Sequence, residues 1–176
     1  MNKVYVIDAF TGRGIDQLIR ACEERKRWLH EKSDELARRL AEVGYETANI
    51  IMSGHVFDGD TLASLHVERI GEAQYAVKAN STAVLFLEFG SGIVGGGHPE
   101  AGDNGMGPGT YPGQSHAFDP NGWWFQTDDE RLIVWRDKEG NGWGHSYGMA
   151  PAMPMYNGVK SAEQQLEALI KEVFAS

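Results

Sequence analysis

Gly90–Gly113 reads GSGIVGGGHPEAGDNGMGPGTYPG and holds ten of the chain's 22 glycines. Glycine has the most backbone freedom to lose on ordering and proline removes a donor, so this run makes neither a helix nor a plain strand. It is a long excursion between regular elements. Loops of that length inside a compact domain are uncommon and either carry function or are ordered by a partner. Four of the five tryptophans follow, at Trp123, Trp124, Trp135 and Trp143. Residues 90–150 therefore read as one Gly- and Trp-rich loop and hairpin insertion that a neighbouring surface completes, which leans away from a self-contained enzyme core.

Upstream of the excursion, Thr82–Phe89 (TAVLFLEF) is a short apolar run that by periodicity fits a buried helix turn or a buried strand equally, and Ser81, placed to cap it, favours a short helix. Before it, Tyr45–Met52, Leu62–Ile70 and Gln74–Ala79 read as strands of an antiparallel meander, with turn signals in Ser53–Asp60. Ile15, Cys22, Leu29, Leu36 and Val43 recur every seven residues, with Leu18, Ile19 and Leu40 beside them. This is one long helix or two helices end to end, expected to stop at Gly44. Its apolar face is narrow, which suits a helix laid across a sheet and equally one that also meets a neighbouring subunit. Lys3–Ile7 (KVYVI) is a short β-prone run.

Downstream, Trp123–Gln126, Arg131–Asp137 and Trp143–Tyr147 read as strands joined in hairpins by Asp-Asp and Asn-Gly turns. Pro151–Met155 is extended, since a residue before proline is pushed out of the helical region. Val159–Ala175 closes the sequence as a helix with Val159, Ala162, Leu166, Leu169, Ile170, Val173 and Phe174 on one face, and Ser161 with Gln164 resembling a capping box. The expected fold is α+β: an antiparallel sheet packed with a long N-terminal helix and a C-terminal helix, as a single domain over 1–176.

With 176 residues the chain is long enough to bury one core without staples. Its one cysteine, Cys22, lies on the helical stripe and is expected to be a buried structural thiol. The sequence shows no leader pattern and no apolar run of bilayer length, so the expectation is a protein folded in a cytoplasm without a membrane partner. The formal net charge is -9, with no basic stripe. Duplex affinity depends on lysines and arginines displacing counterions, so specific nucleic-acid binding is not expected. Arg25, Lys26 and Arg27 form the one local basic cluster, amid Glu23, Glu24 and Glu31.

The candidate chemistries are thin. His98, Glu100, Asp103 and His116 offer imidazole and carboxylate donors in one region, but in no metal-binding spacing, so no metal or other cofactor is expected. Ser91 stands in no nucleophile elbow, and Gly90-Ser91-Gly92 lacks the lysine of a phosphate loop. Glu88 is a carboxylate inside an apolar run and needs a partner: a structural hydrogen bond, an interface ion pair, or the task of a general acid. Tyr111, Phe118, Trp123, Trp124, Trp135, Trp143 and Tyr147 would stack on sugars, form a protein–protein hot spot, or pack a core.

Val84-Leu85-Phe86-Leu87-Glu88-Phe89-Gly90-Ser91-Gly92 resembles the apolar run followed by Glu-Phe-Gly-Thr/Ser-Gly of the tail-component family of long-tailed phages and prophages, also described as head–tail joining proteins. Gly109–Gly113, Asp119–Phe125 and Pro151–Tyr156 are similar to that family's Gly-rich insertion and to its proline motif before the last helix. The chain lacks the proline-containing segment that the family often has after its first helix, and holds Gly54–Leu62 there. The resemblance implies a non-enzymatic virion structural protein of the neck or tail, assembled in the host cytoplasm as a ring, usually of six. It would complete the tail, meet the tail tube protein and the head connector or stopper, and let DNA pass through its lumen. The residues expected at its interfaces are Glu88, Phe89, Tyr111, Trp123, Trp124, Met153, Met155 and Tyr156. Two other readings stay open: a metal-dependent hydrolase using His98, Glu100 and His116, and a glycan-binding module centred on Trp123 and Trp124.

Overall fold

The computed structural model describes residues 12–55, 59–103, 105–107, 109–110, 116 and 118–175. The expected strand Lys3–Ile7 lies outside them. The fold is α+β: a long N-terminal helix, a C-terminal helix and small antiparallel sheets. Helix α1 (Gly12–Ser53) is followed by the short α2 (Gly59–Ala63), the strands β1 (His66–Gly71) and β2 (Gln74–Lys78), and α3 (Thr82–Phe89). Strands β3 (Ser91–Gly92), β4 (Trp123–Gln126), β5 (Trp135–Arg136), β6 (Gly142–Ser146) and β7 (Gly148–Met149) precede α4 (Pro154–Ala175).

Two compact units divide these elements. The first holds α1 as far as Glu46, the β1–β2 hairpin and α4 from Gly158. The second holds α1 from Thr47, α2, and everything from Ala79 to Asn157, so residues 90–150 lie wholly inside it.

Helix α1 does not stop at Gly44 but continues past Glu46 into the residues of the second unit, and the expected strand Tyr45–Met52 is helical instead. Gly44, Ala48 and Met52 are buried at four-residue spacing, the repeat of one helical face, and that packing overrides the β propensity of Tyr45, Thr47 and Ile51. Gly44 is interior because α4 crosses it closely: a β-carbon on Gly158 would stand 2.7 Å from the Gly44 carbonyl oxygen. The two helices run antiparallel, for Gly44 meets Gly158 while Trp28 meets Phe174 edge-on at 5.6 Å. Leu169 and Val173 are buried on α4. Full burial of a side chain such as Val173 is worth about 2 kcal/mol.

Strands β1 and β2 form a two-stranded hairpin rather than part of a three-stranded meander, with Val67 opposite Val77. Asp34 of α1 ties the hairpin down by accepting from the Arg69 guanidinium at 2.7 Å, the Ala73 N–H at 3.2 Å and the Tyr75 hydroxyl at 3.0 Å. Burial pulls its carboxyl upward, but the Tyr75, Ala73 and Arg69 donors outweigh that and hold it below the usual carboxylate range.

In the second unit α3 begins as expected, with the Ser81 hydroxyl accepting from the Ala83 N–H. Val84, Leu87, Met52 and Leu65 are buried here. The sheet order is β4-β6-β5, so β4 pairs with β6 and not with β5 as its sequence neighbour. The reason lies in β6, where Gly142 and Gly144 alternate with Trp143 and His145. A β-carbon on Gly144 would lie 2.5 Å from the Phe125 ring, and one on Gly142 2.5 Å from Ile133. Only a strand bare on one face admits both apolar side chains, and that places it in the middle. Helix α4 begins at Pro154, five residues before the expected start, so Ser161 and Gln164 lie inside it and cap nothing. Proline is favoured in a first turn because its missing N–H would be unbonded there anyway.

Candidate functional site

The motif Glu88-Phe89-Gly90-Ser91-Gly92 and the segment before α4 meet in one buried junction. The Glu88 carboxylate accepts from the Met155 N–H at 2.8 Å through Oε2 and from the Tyr156 N–H at 2.9 Å through Oε1. These are first-turn donors of α4, which have no partner within the helix. A glutamate from α3 thus caps α4, its charge set against the positive end of the helix dipole. The Leu87 carbonyl accepts from the N–H groups of Ala152 and Met153 at 2.7 and 3.1 Å. Met153 reaches this position in left-handed backbone, at φ 56°.

His98 completes the junction. Its Nδ1 accepts from the Glu100 N–H at 3.1 Å, so the ring hydrogen sits on Nε2, which donates to Glu88 Oε1 at 2.9 Å. The imidazole packs between the rings of Phe89 and Tyr156, with centroids 4.7 and 5.3 Å away. Side-chain exposures of 3% for His98 and 8% for Glu88 leave the pair almost entirely out of solvent. Both nitrogens of His98 are occupied by its neighbours. The arrangement holds the first turn of α4 in place.

Gly90 turns the chain out of α3 at φ 76°, where a β-carbon would also press on the Met149 carbonyl at 2.7 Å. Strand β3 then pairs with β7, and the Ser91 hydroxyl accepts from the Met149 N–H. Gly90, Ser91, Gly92 and His98 are all buried. The glycines that open the long excursion are explained by close backbone approach within this chain, and need no missing partner.

Of the residues expected at interfaces, Glu88 is buried with its acceptors occupied inside the chain, and Phe89, Met153, Met155 and Tyr156 surround it half-buried. Trp123 and Trp124 are remote from them in sequence and sit on β4, the first half-buried and the second 54% exposed. Tyr111 lies outside the described residues. Of the expected aromatic cluster, Trp124, Trp135 and Trp143 share one face of the β4-β6-β5 sheet with His145. Trp124 stands opposite His145, and Trp135 opposite Trp143. His145 packs on Trp124 and Tyr147 at 4.6 and 4.8 Å, and the two paired indoles are 6.5 Å apart. Trp135 and Tyr147 are about as exposed as Trp124. The turn below them is built by Asp137, which accepts from the side chains of Asn141 and Trp143 and from the N–H groups of Glu139 and Asn141. The Asn141 and Trp143 side-chain donors lead in holding its carboxyl down at about 2.

Cys22 is exposed, contrary to the buried thiol expected. So are Ile15, Leu18, Ile19 and Leu29 around it, and Val159, Leu166 and Ile170 on α4. Among the described residues no three His, Cys, Asp or Glu side chains come together as metal ligands, and no helix is long and apolar enough to cross a membrane. His116 lies over Trp123 with centroids 6.0 Å apart, while His98 faces Glu88. Reasoning from sequence missed His98 as the partner of Glu88. The available signal was the cost of burying a lone carboxylate ten residues before a histidine. Neither a family model, nor a curated protein, nor a solved structure matches this chain.

Proposed function

We propose that the chain is a non-enzymatic structural protein of the neck or tail end of a long-tailed bacteriophage, one subunit of a ring of six that completes the tail and joins it to the head. The observation that carries this reading is the amount of large apolar surface left in solvent: Ile15, Leu18, Ile19 and Leu29 on α1, Val159, Leu166 and Ile170 on α4, and Trp124, Trp135 and Tyr147 on or beside the sheet. Scattered exposed apolar residues are ordinary, whereas stripes and clusters of them mark surfaces that another protein covers. The resemblance adds to this, since its two best motifs, Glu88–Gly92 and Pro151–Tyr156, form one cooperating junction rather than two unrelated matches. A net charge of -9 suits a ring whose lumen passes DNA without retaining it. Its partners would be copies of itself, the tail tube protein and the head connector or stopper. Native mass spectrometry and negative-stain microscopy test the reading. Rings by themselves or on the ends of isolated tail tubes are expected, and a monomer that leaves tube ends bare would refute it.

A glycan-binding module is the second reading, favoured by the half-exposed rings of Trp124, Trp135 and Tyr147 around one sheet. Saccharide-dependent quenching of tryptophan fluorescence, lost in Trp124→Ala, would support it. For a metal-dependent hydrolase on His98, Glu100 and His116, the described residues offer nothing comparable.

A further inference from the structure

Two exposed stripes of the first unit share one spacing. On α1, Leu18, Cys22, Arg25 and Leu29 follow one another by four, three and four residues. On α4, Val159, Glu163, Leu166 and Ile170 do the same. All eight are exposed, Leu18 at 48%, Leu29 at 43%, Val159 at 58%, Leu166 at 38% and Ile170 at 40%. Each set lies along one helical face over roughly 17 Å, at 1.5 Å of rise per residue. Laid antiparallel, Leu18 falls opposite Ile170, Cys22 opposite Leu166, Arg25 opposite Glu163, and Leu29 opposite Val159. Three apolar pairs then enclose one pair of opposite charge.

Resting on the reading that the chain assembles with itself, we infer that α1 of one copy packs antiparallel on α4 of the next through these eight residues. Within the chain α1 and α4 already pack antiparallel along other faces, at Gly44 and Gly158 and at Trp28 and Phe174, so the stripes extend a contact of the same kind to a second copy. The occupant is another copy of this chain because both halves of the complementary pattern, including its charge, are on one molecule. Two different faces meeting head to tail generate a ring when the rotation closes. Arg25 is already steered by the ring of Trp28, whose centroid is 3.8 Å from its guanidinium carbon, and Glu163 is held on the outer surface by Lys160 at 2.9 Å.

The test pairs charge reversal with a cross-link. Arg25→Glu and Glu163→Arg, each with wild-type far-UV circular dichroism, are expected to weaken self-association at least about tenfold in sedimentation, because like charges then face one another. The double reversal restores it. In a Leu166→Cys variant every chain carries two thiols, and oxidation of facing thiols by diamide should give a covalent ladder beyond the dimer on a non-reducing gel. The wild type, with only Cys22, stops at the dimer. Assembly unaffected by either reversal, or a Leu166→Cys variant without a ladder, overturns this interface while leaving the ring itself intact. A monomer at every concentration overturns the interface and the ring reading together.

Discussion

At the residue scale, Glu88 concentrates the most consequence in one side chain. It answers two N–H groups of α4 and the Nε2–H of His98. A buried donor left unpaired costs about 1–3 kcal/mol, so Glu88→Ala is expected to lower stability by about 3 kcal/mol or more, measured by urea unfolding. Glu88→Gln keeps an acceptor for some of these donors but turns an amide N–H₂ toward another, and should fall between. Removing a carboxylate from a solvated helix face would stay within about 0.5 kcal/mol, and that result for Glu88→Ala would contradict the capping role. Of the three partners only His98, ten residues on, left a signal nearby in sequence. The motif showed only that a carboxylate stood in an apolar run, and the cap it supplies lies 67 residues further on.

Helices and turns supply two predictions at the element scale. A β-carbon at Gly44 would stand 3.5 Å from the Gly158 carbonyl oxygen, an ordinary contact, while one at Gly158 would stand 2.7 Å from the carbonyl of Gly44. Gly44→Ala should be neutral or stabilising by up to about 1 kcal/mol through helix propensity. Gly158→Ala forces the helices apart and should cost about 1–3 kcal/mol in thermal unfolding, despite the same propensity gain. Equal effects would dismiss the close crossing. The second prediction concerns the turn that closes β5 and β6. The folded Asp137 carboxyl is held at about 2, below its ordinary value of 3.8. A depressed carboxylate contributes stability that is present above the ordinary value and lost as pH falls through the folded one. The Trp143 indole it holds should therefore change its fluorescence between about pH 4 and about pH 2. In Asp137→Asn that transition should be absent. Of these elements the hairpin turn and α3 were legible in sequence, because their chemistry lies within four or five residues. The length of α1 was not, because Gly44 signals a helix end locally and a helix crossing only when α4 is present.

For the whole molecule, the net charge of -9 makes copies repel one another at long range, whatever holds them at contact. The screening length falls from about 30 Å at 0.01 M salt to about 8 Å at 0.15 M. Self-association is therefore expected to tighten over that range, in sedimentation at matched protein concentration. An interface dominated by ion pairs would weaken instead. The aromatic sheet belongs to this scale as well. Trp124→Ala and Trp135→Ala should leave thermal stability nearly unchanged, since both are about half in solvent, while reducing attachment to isolated tail tubes. A large loss of stability in either would make them core residues.

The α+β class, the seven-residue rhythm of α1, the capped start of α3, the positions of β2 and β4, and the helical run of α4 were determined by the sequence alone. Each rests on a period or a cap whose parts lie within a turn or two of one another. Tertiary structure decided the continuation of α1 through Tyr45–Met52, the place of β6 between β4 and β5, the junction of Glu88 with His98 and α4, and which apolar side chains stay in solvent. Those depend on residues tens of positions apart reaching contact distance. A helix presents the same apolar face in sequence whether its own chain covers that face or leaves it open for another.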